Sequence, residues 1–454
     1  MNVKKTTFIL TVIVLVLALN SFVFSQWTSS GTIAIVGTYP SVSVVSPTVA
    51  WISGGLTSPY VFRTTDGGNT WTSLPTNGLA TKALMCIWAI DDMTAYVGDG
   101  GDAGGTTGGD AIVSKTTNGG QNWTTVFNTG GTAGFFNGIV FSRSNPLYGI
   151  AESDPPNGVG QPYYIQKTTN GGGSWSNSTA PGIPGNASGQ NSVMLIDNNF
   201  YGWGLNAAAQ VTMTSNGGTS WFNGIFSVAG TFTSGLAFND NKLIGIASTS
   251  TSFPNIARTT NGGTTWTSIS TGGTGVTTNS AVKFINGANT CYYVGQSTSS
   301  ALIYKSTNSG LNWTAMTSPA GIVNLFHFDF VRVGATVTGF AVNPAGNVIK
   351  LTETVTTIST ENSIVPGEYK LNQNYPNPFN PSTTISFSLP KSEFVTLKVY
   401  NVLGKEVATL INKKLDAGNY NELFEAPSDL TSGVYFYKLT AGSFSDTRKL
   451  TLIK

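Results

Sequence analysis

The sequence predicts an all-β chain: a seven-bladed β-propeller with tight repeated turns, followed by a small immunoglobulin-like β-sandwich. Three observations predict it. One short motif occurs six times, the charge density changes near residue 366, and the C-terminal stretch carries a strand pattern of its own. The motif first reads Arg63-Thr64-Thr65-Asp66-Gly67-Gly68-Asn69-Thr70-Trp71, and it returns around Asn118 and Trp123, Asn170 and Trp175, Asn216 and Trp221, Asn261 and Trp266, and Asn308 and Trp313. Its tryptophans are 52, 52, 46, 45 and 47 residues apart. A period of about 45–50 residues corresponds to one four-stranded blade per repeat.

Each residue of the motif has a physical reason. The Thr or Ser hydroxyl and the Asp or Asn side chain bond nearby backbone N–H groups and hold a tight turn. Glycine supplies the positive φ that such a turn needs. The tryptophan covers the turn and buries a large apolar surface. Alternating segments flank it, such as Tyr60-Val61-Phe62-Arg63 before and Trp71-Thr72-Ser73-Leu74 after, so the motif joins the last two strands of a blade.

The segments between motifs supply the remaining strands. Ala83 to Ile90, Ala95 to Gly98 and Ala111 to Ser114 are three strands of the second blade. After the sixth motif, Leu325 to Val333, Thr338 to Val342 and Asn347 to Leu351 form three strands with no seventh motif behind them. Gln26-Trp27-Thr28-Ser29 matches the strand that follows each motif, as in Trp266-Thr267-Ser268. The N-terminal strand is therefore expected to pair with 347–351 and close a ring of seven, leaving no exposed sheet edge.

The ends set the organisation. Lys4 and Lys5 precede a mostly apolar stretch from Phe8 to Val23, ending in Val23-Phe24-Ser25. This reads as a signal peptide over 1–25. The propeller is expected over 26–356, a linker over 357–368 and the second domain over 369–454. Residues 26–365 hold 11 Lys/Arg against 13 Asp/Glu, and 366–454 hold 10 against 8. Neither balance suits nucleic-acid binding. No other segment is long and apolar enough to span a bilayer as a helix. Cys86 and Cys291 fall in the second and sixth blades, which are not neighbours, so buried free thiols are expected.

The repeated motif is similar to the Asp-box, the bacterial neuraminidase repeat of sialidases, xyloglucanases, sortilin-type receptors and photosystem II assembly factors. The resemblance implies that the boxes lie at the periphery, away from a ligand. Asp66, Trp71, Asn118, Trp123, Asn170, Trp175, Asn216, Trp221, Asn261, Trp266, Asn308 and Trp313 are thus assigned to structure. Residues 369–454 resemble the type A sorting domain of the type IX secretion system of Bacteroidetes and their relatives. The markers are Asn374-Tyr-Pro-Asn-Pro-Phe-Asn-Pro381, Val399-Tyr-Asn-Val-Leu-Gly404, Ser432-Gly-Val-Tyr-Phe-Tyr437 and Lys449-Leu-Thr-Leu-Ile-Lys454. This implies export through the outer membrane by way of the periplasm, with the sorting machinery as partner. The mature protein would then be released or held at the cell surface. Strand-like segments such as Val395 to Tyr400 and Val434 to Leu439 fit a small immunoglobulin-like sandwich.

Catalysis finds little support. A sialidase needs an arginine triad, yet the chain has five arginines, Arg63, Arg143, Arg258, Arg332 and Arg448, of which two lie in motifs and one in the C-terminal module. Xyloglucanases use paired acids and two propellers. His327 and Asp329 share a strand face and read as a hydrogen-bonded core pair. The sharper lead is acidic. Asp99, Asp102, Asp110, Glu152 and Asp154 fall in the loops between second and third strands of the second and third blades. They would gather on the face opposite the boxes, the side where propellers usually take ligands. There they would hold Ca²⁺ or sugar hydroxyls; a solvated glycine-rich loop is the competing reading. No cofactor is otherwise implied, and no metal-ligand spacing of His and Cys occurs. The resulting expectation is a binding module for an extracellular protein or glycan. The alternative is a sialidase- or xyloglucanase-like glycoside hydrolase with an unidentified carboxylate pair. An assembly factor of the photosystem II type is disfavoured by the exported module.

Overall fold

The computed structural model describes residues 27–35, 38–56, 58–79, 83–100, 110–133, 135–143, 145–154, 163–178, 192–204, 210–226, 233–249, 256–269, 280–295, 302–355, 368–374, 377–379, 382–415, 418–427 and 429–453. The expected signal peptide, most of the expected linker and Asp102 lie outside them. The described residues are all-β, with no helix among them, and divide into two compact units, Met1–Thr357 and Ile358–Lys454.

The first unit consists of four-stranded antiparallel meanders. The first sheet is Ser41–Val44, Ala50–Ser53, Val61–Thr64 and Thr72–Ser73, and the second is Leu84–Ala89, Ala95–Asp99, Asp110–Thr116 and Thr124–Ala133. The third is Phe136–Phe141, Gly149–Ser153, Tyr164–Thr168 and Ser176–Asn177. The fourth is Met194–Leu195, Tyr201–Gly204, Gln210–Thr214 and Phe222–Phe226. The fifth is Thr233–Phe238, Gly245–Thr249, Ile256–Thr259 and Thr265–Ile269, and its last strand pairs in parallel with the last strand of the fourth. The sixth is Ser280–Phe284, Cys291–Gly295, Leu302–Ser306 and Thr314–Ala315.

The seventh sheet takes three strands from one end of the unit and one from the other. His327–Val333, Thr336–Val342 and Asn347–Thr354 are completed by Thr28–Thr32. The register sets Thr28 opposite Lys350 and Ser29 opposite Ile349, where the tryptophan-threonine-serine pattern places it. Trp27 is buried against Phe330, with ring centroids 5.9 Å apart. The first strands touch in cyclic order, from the first sheet through to the seventh and back to the first.

The repeated turns owe their shape to one bonding pattern. The Thr64 hydroxyl donates to Asp66 Oδ1 at 2.8 Å and accepts the Gly68 N–H at 2.8 Å, while Asp66 Oδ1 also accepts the Thr70 N–H at 2.9 Å. The same three bonds recur at Thr116/Asn118, Thr168/Asn170, Thr214/Asn216, Thr259/Asn261 and Ser306/Asn308. Bonds from Thr70 and Thr64 hold the Asp66 carboxyl down to about 2. Gly68 has φ +83°, and a Cβ there would meet Ser30 and Phe340.

The residue before the turn's hydroxyl has a second task that the sequence did not reveal: it reaches the next sheet. Arg63 Nη1 donates to Asp92 O at 2.7 Å, Lys167 Nζ to Asn198 O at 3.0 Å and Arg258 Nε to Ser309 O at 2.8 Å. Lys305 Nζ pairs with Glu353 Oε2 at 2.7 Å, and Lys350 Nζ donates to Gly67 O at 2.7 Å, from the seventh sheet to the first. Cys86 and Cys291 are buried and free, and burial pushes both thiols well up.

The second unit has two sheets over one core. Lys370–Leu371, Ser382–Leu389 and Gly418–Glu425 form one; Glu406–Leu415, Glu393–Asn401, Gly433–Ala441 and Phe444–Leu452 form the other. Ile385, Phe387, Leu397, Val399, Tyr437 and Leu450 pack between them. The alternation of Val395, Leu397 and Val399 explains why one face is buried.

Candidate functional site

The first strands of six sheets, with Val45 just after the first strand of the remaining one, line one cavity of about 360 Å³, within the common range for ligand pockets. Val45, Trp88, Val140, Met194, Ala237 and Phe330 supply apolar walls. Its polar side chains include Ser142, Arg143, Lys283, Asn286, Asp329 and Arg332. The lining comes from the C-terminal ends of the first strands and the turns after them. The repeated turns sit at this same end of the sheets. Gly67 N donates to Thr48 O, Gly119 N to Met93 O, Gly171 N to Leu147 O and Gly217 N to Asn199 O, each carbonyl lying in a first-to-second-strand turn. The cavity walls therefore lie toward the box end, not toward the opposite face where a ligand was expected.

The charges in the cavity are tied in a defined way. Arg143 Nη2 meets Asp329 Oδ2 at 2.5 Å, its Nη1 donates to Val44 O at 2.9 Å, and its guanidinium lies 4.3 Å from the centroid of the Trp88 ring. Asp329 Oδ2 also accepts the Val44 N–H at 2.8 Å. His327 Nδ1 accepts the Val42 N–H at 3.0 Å. His327 and Asp329 thus do not bond each other as a pair. Alternation along the strand puts both on one face, and there each meets an amide of the first sheet. Burial, then the charge of Lys283, holds His327 well below the ordinary histidine value. Burial lowers the Lys283 ammonium, with Asp329 opposing and Arg143 reinforcing that shift.

The acidic residues predicted from sequence lie at the other end of the sheets. Asp99 ends the second strand of the second sheet, is buried, and accepts the Ile112 N–H at 2.8 Å. Glu152, in the second strand of the third sheet, is fully buried, and Asp154 Oδ1 accepts Asn137 Nδ2–H at 2.7 Å. Asp99 and Glu152 converge on Cys86, and both charges raise its thiol, after burial. Asp110 begins the third strand of the second sheet. Among the described residues, no group of three or more His, Cys, Asp or Glu is placed to hold a metal ion.

Sequence reasoning missed Lys283, Arg143 and Trp88. A signal existed for the first. The backbone bonds of Val45, Ile90, Ser142, Ile196, Asn239 and Ile285 to their second strands align the first six inner strands. Two residues earlier come Ser43, Trp88, Val140, Met194, Ala237 and Lys283, a single charge in an otherwise uncharged ring.

Comparison with known proteins decides the second unit. Residues 373–454 match the secretion system C-terminal sorting domain. This sorting domain marks the chain for the type IX machinery and for the cell surface or secretion. No curated protein matches the chain. Among solved structures, YCF48 from Cyanidioschyzon merolae is 16% identical with a TM-score of 0.50, covering 72% of this chain and 98% of that one. An ancestral GH74 enzyme is 14% identical with a TM-score of 0.50, over 94% of this chain and 63% of that one. A chain in the mitotic checkpoint complex is 10% identical with a TM-score of 0.52, over 73% and 94%. These likenesses are of fold alone, and the fold is β-propeller-like.

Proposed function

We propose that the chain is an exported binding protein without catalytic chemistry, recognising a protein or glycan outside the cell. On this reading residues 1–25 are a signal peptide, 26–356 a seven-bladed propeller with Asp-box turns, 357–368 a linker and 369–454 an immunoglobulin-like sorting domain. The cyclic contact of the first strands, with residues 28–32 completing the seventh sheet, supports the closed ring. The Thr–Asp/Asn–Gly bonding pattern supports the Asp-box assignment.

One observation carries the functional reading. Among the described residues lining the cavity there is one carboxylate, Asp329, and Arg143 and the Val44 amide already hold it. Glycoside hydrolysis ordinarily needs two carboxyl groups about 5–9.5 Å apart across the scissile bond. The cavity offers shape and charge for binding without that pair. The test is a glycan array probed with the purified chain, run beside hydrolysis assays on xyloglucan and sialosides. The expected result is no turnover of either substrate, and a retained glycan would name the ligand as a glycan rather than a protein. Turnover abolished by replacing a single carboxylate would replace this reading with the hydrolase one.

A further inference from the structure

We propose that Lys283 forms an anion site within the cavity, and that its ligand is an aliphatic carboxylate. The inference rests on the reading of this unit as a binding propeller and names a ligand class for it. Lys283 lines both the main cavity and a separate, much narrower space lined also by Ser41, Val42 and His327. Its ammonium makes no hydrogen bond or ion pair with any described residue. Of the neighbouring charges, Asp329 alone favours the ammonium. That carboxylate is already engaged by Arg143 and the Val44 N–H. Arg143 adds repulsion, and Arg332 is turned to the carbonyls of Asn286, Gly287 and Gly334. A lone ammonium in such surroundings is unfavourable until an anion joins it.

His327 lines the narrower space beside Lys283 and not the main cavity. Its Nδ1 accepts the Val42 N–H, so the neutral ring carries its proton on Nε2. A single ammonium on the cavity wall suits one monoanionic carboxylate. The rest of the wall selects the body of the ligand. Val140, Val193, Met194, Leu236 and Phe330 are apolar and offer little to sugar hydroxyls. A dianionic phosphate would find one uncompensated cation where it needs more. A short hydrocarbon chain ending in one carboxylate satisfies both the charge and the wall. That chemistry could come from a free aliphatic acid or from the C-terminus of a peptide ending in an aliphatic residue.

The experiment is calorimetric titration of the purified chain with hexanoate, hexanamide, and a peptide ending in leucine with a free or an amidated C-terminus. Hexanoate is expected to bind at least tenfold tighter than hexanamide. Lys283→Met should cost at least tenfold in hexanoate affinity while leaving the thermal midpoint unchanged or higher, and Lys283→Arg should retain binding should the Met variant misfold. A free-ended peptide that outbinds hexanoate tenfold and loses this on amidation identifies a chain end as the source; equal binding identifies the free acid. Equal affinity for hexanoate and hexanamide, an undiminished Lys283→Met variant, or no heat at millimolar acid would overturn the proposal. A glycan hit without carboxylate binding would overturn this site alone and leave the binding function standing.

Discussion

Arg143 Nη2 lies 2.5 Å from Asp329 Oδ2, joining the third sheet to the seventh across the cavity. The two residues are far apart in sequence and not on adjacent sheets. Between them the guanidinium passes over Trp88 of the second sheet and bonds Val44 O of the first. Four sheets thus meet at one ion pair.

Breaking this pair should be measurable. Arg143→Met should destabilise the first unit by about 1–3 kcal/mol, since it leaves the buried Asp329 carboxylate without its cation. Asp329→Asn keeps a side-chain oxygen for the Val44 N–H and should cost less. The double variant should lose less than the sum, with a coupling of about 1–2 kcal/mol. Urea unfolding of the four proteins checks it. Strict additivity would show that the contact contributes no coupling.

His327 is the chain's one histidine, which isolates its pH effect. Folding holds it neutral well below the ordinary histidine value of 6.5, burial first and Lys283 second. Below that value the unfolded chain takes a proton that the folded chain refuses. Stability should therefore be full above about pH 6.5 and fall as pH drops further, by up to about 1.4 kcal/mol per pH unit. His327→Asn keeps an acceptor for the Val42 N–H and removes the titration. Urea midpoints at pH 7.5 and 5.5 should separate wild type from variant, and parallel profiles would refute the assignment.

The repeat made the sheets legible and left the cavity hidden, for a physical reason. Thr64, Asp66, Gly68 and Thr70 bond within a few residues of each other, so a turn of this kind is written locally and repeats visibly. The strand order follows, including the match of Trp27-Thr28-Ser29 to the strand after each turn. The cavity depends on which end of seven separate strands faces inward together. Lys283, Arg143 and Asp329 line one cavity but come from three segments far apart in sequence, so no local pattern joins them. The acidic residues are clustered in sequence, and Asp99 and Asp154 bond Ile112 and Asn137 nearby, at the other end of the sheets from the cavity.

Trp123 tests the assignment of the boxes to structure. It is buried in the core with Trp51, Leu74 and Val97, its ring edge-on to Trp51 at 6.5 Å between centroids. Its indole N–H has no partner among the described residues, so its contribution is packing. Trp123→Ala should destabilise the first unit by about 3–5 kcal/mol. Trp71, half-buried and bonded to Ser30 O at 3.1 Å, should cost less on the same change. Ligand affinity in the folded fraction should not move. A stable Trp123→Ala protein that had lost its ligand would transfer the box to the binding site.

The separate cores of the two units make the export prediction testable without unfolding either. The second core runs from Leu371 to Leu452 and contains no residue of the first unit, and the first unit's clusters contain none of the second. Deleting 369–454 removes the whole sorting domain with its core and cuts no strand of the seven sheets. The truncated chain should fold, keep the thermal midpoint of its first unit, and remain in the periplasm. The full chain should reach the surface or the medium. Cell fractionation of an expressing host with a type IX system, combined with protease shaving, distinguishes the two. Loss of the truncated chain from every fraction would point to misfolding, which a thermal melt of the purified fragment checks independently. Its normal appearance outside the cell would mean that something other than 369–454 directs export.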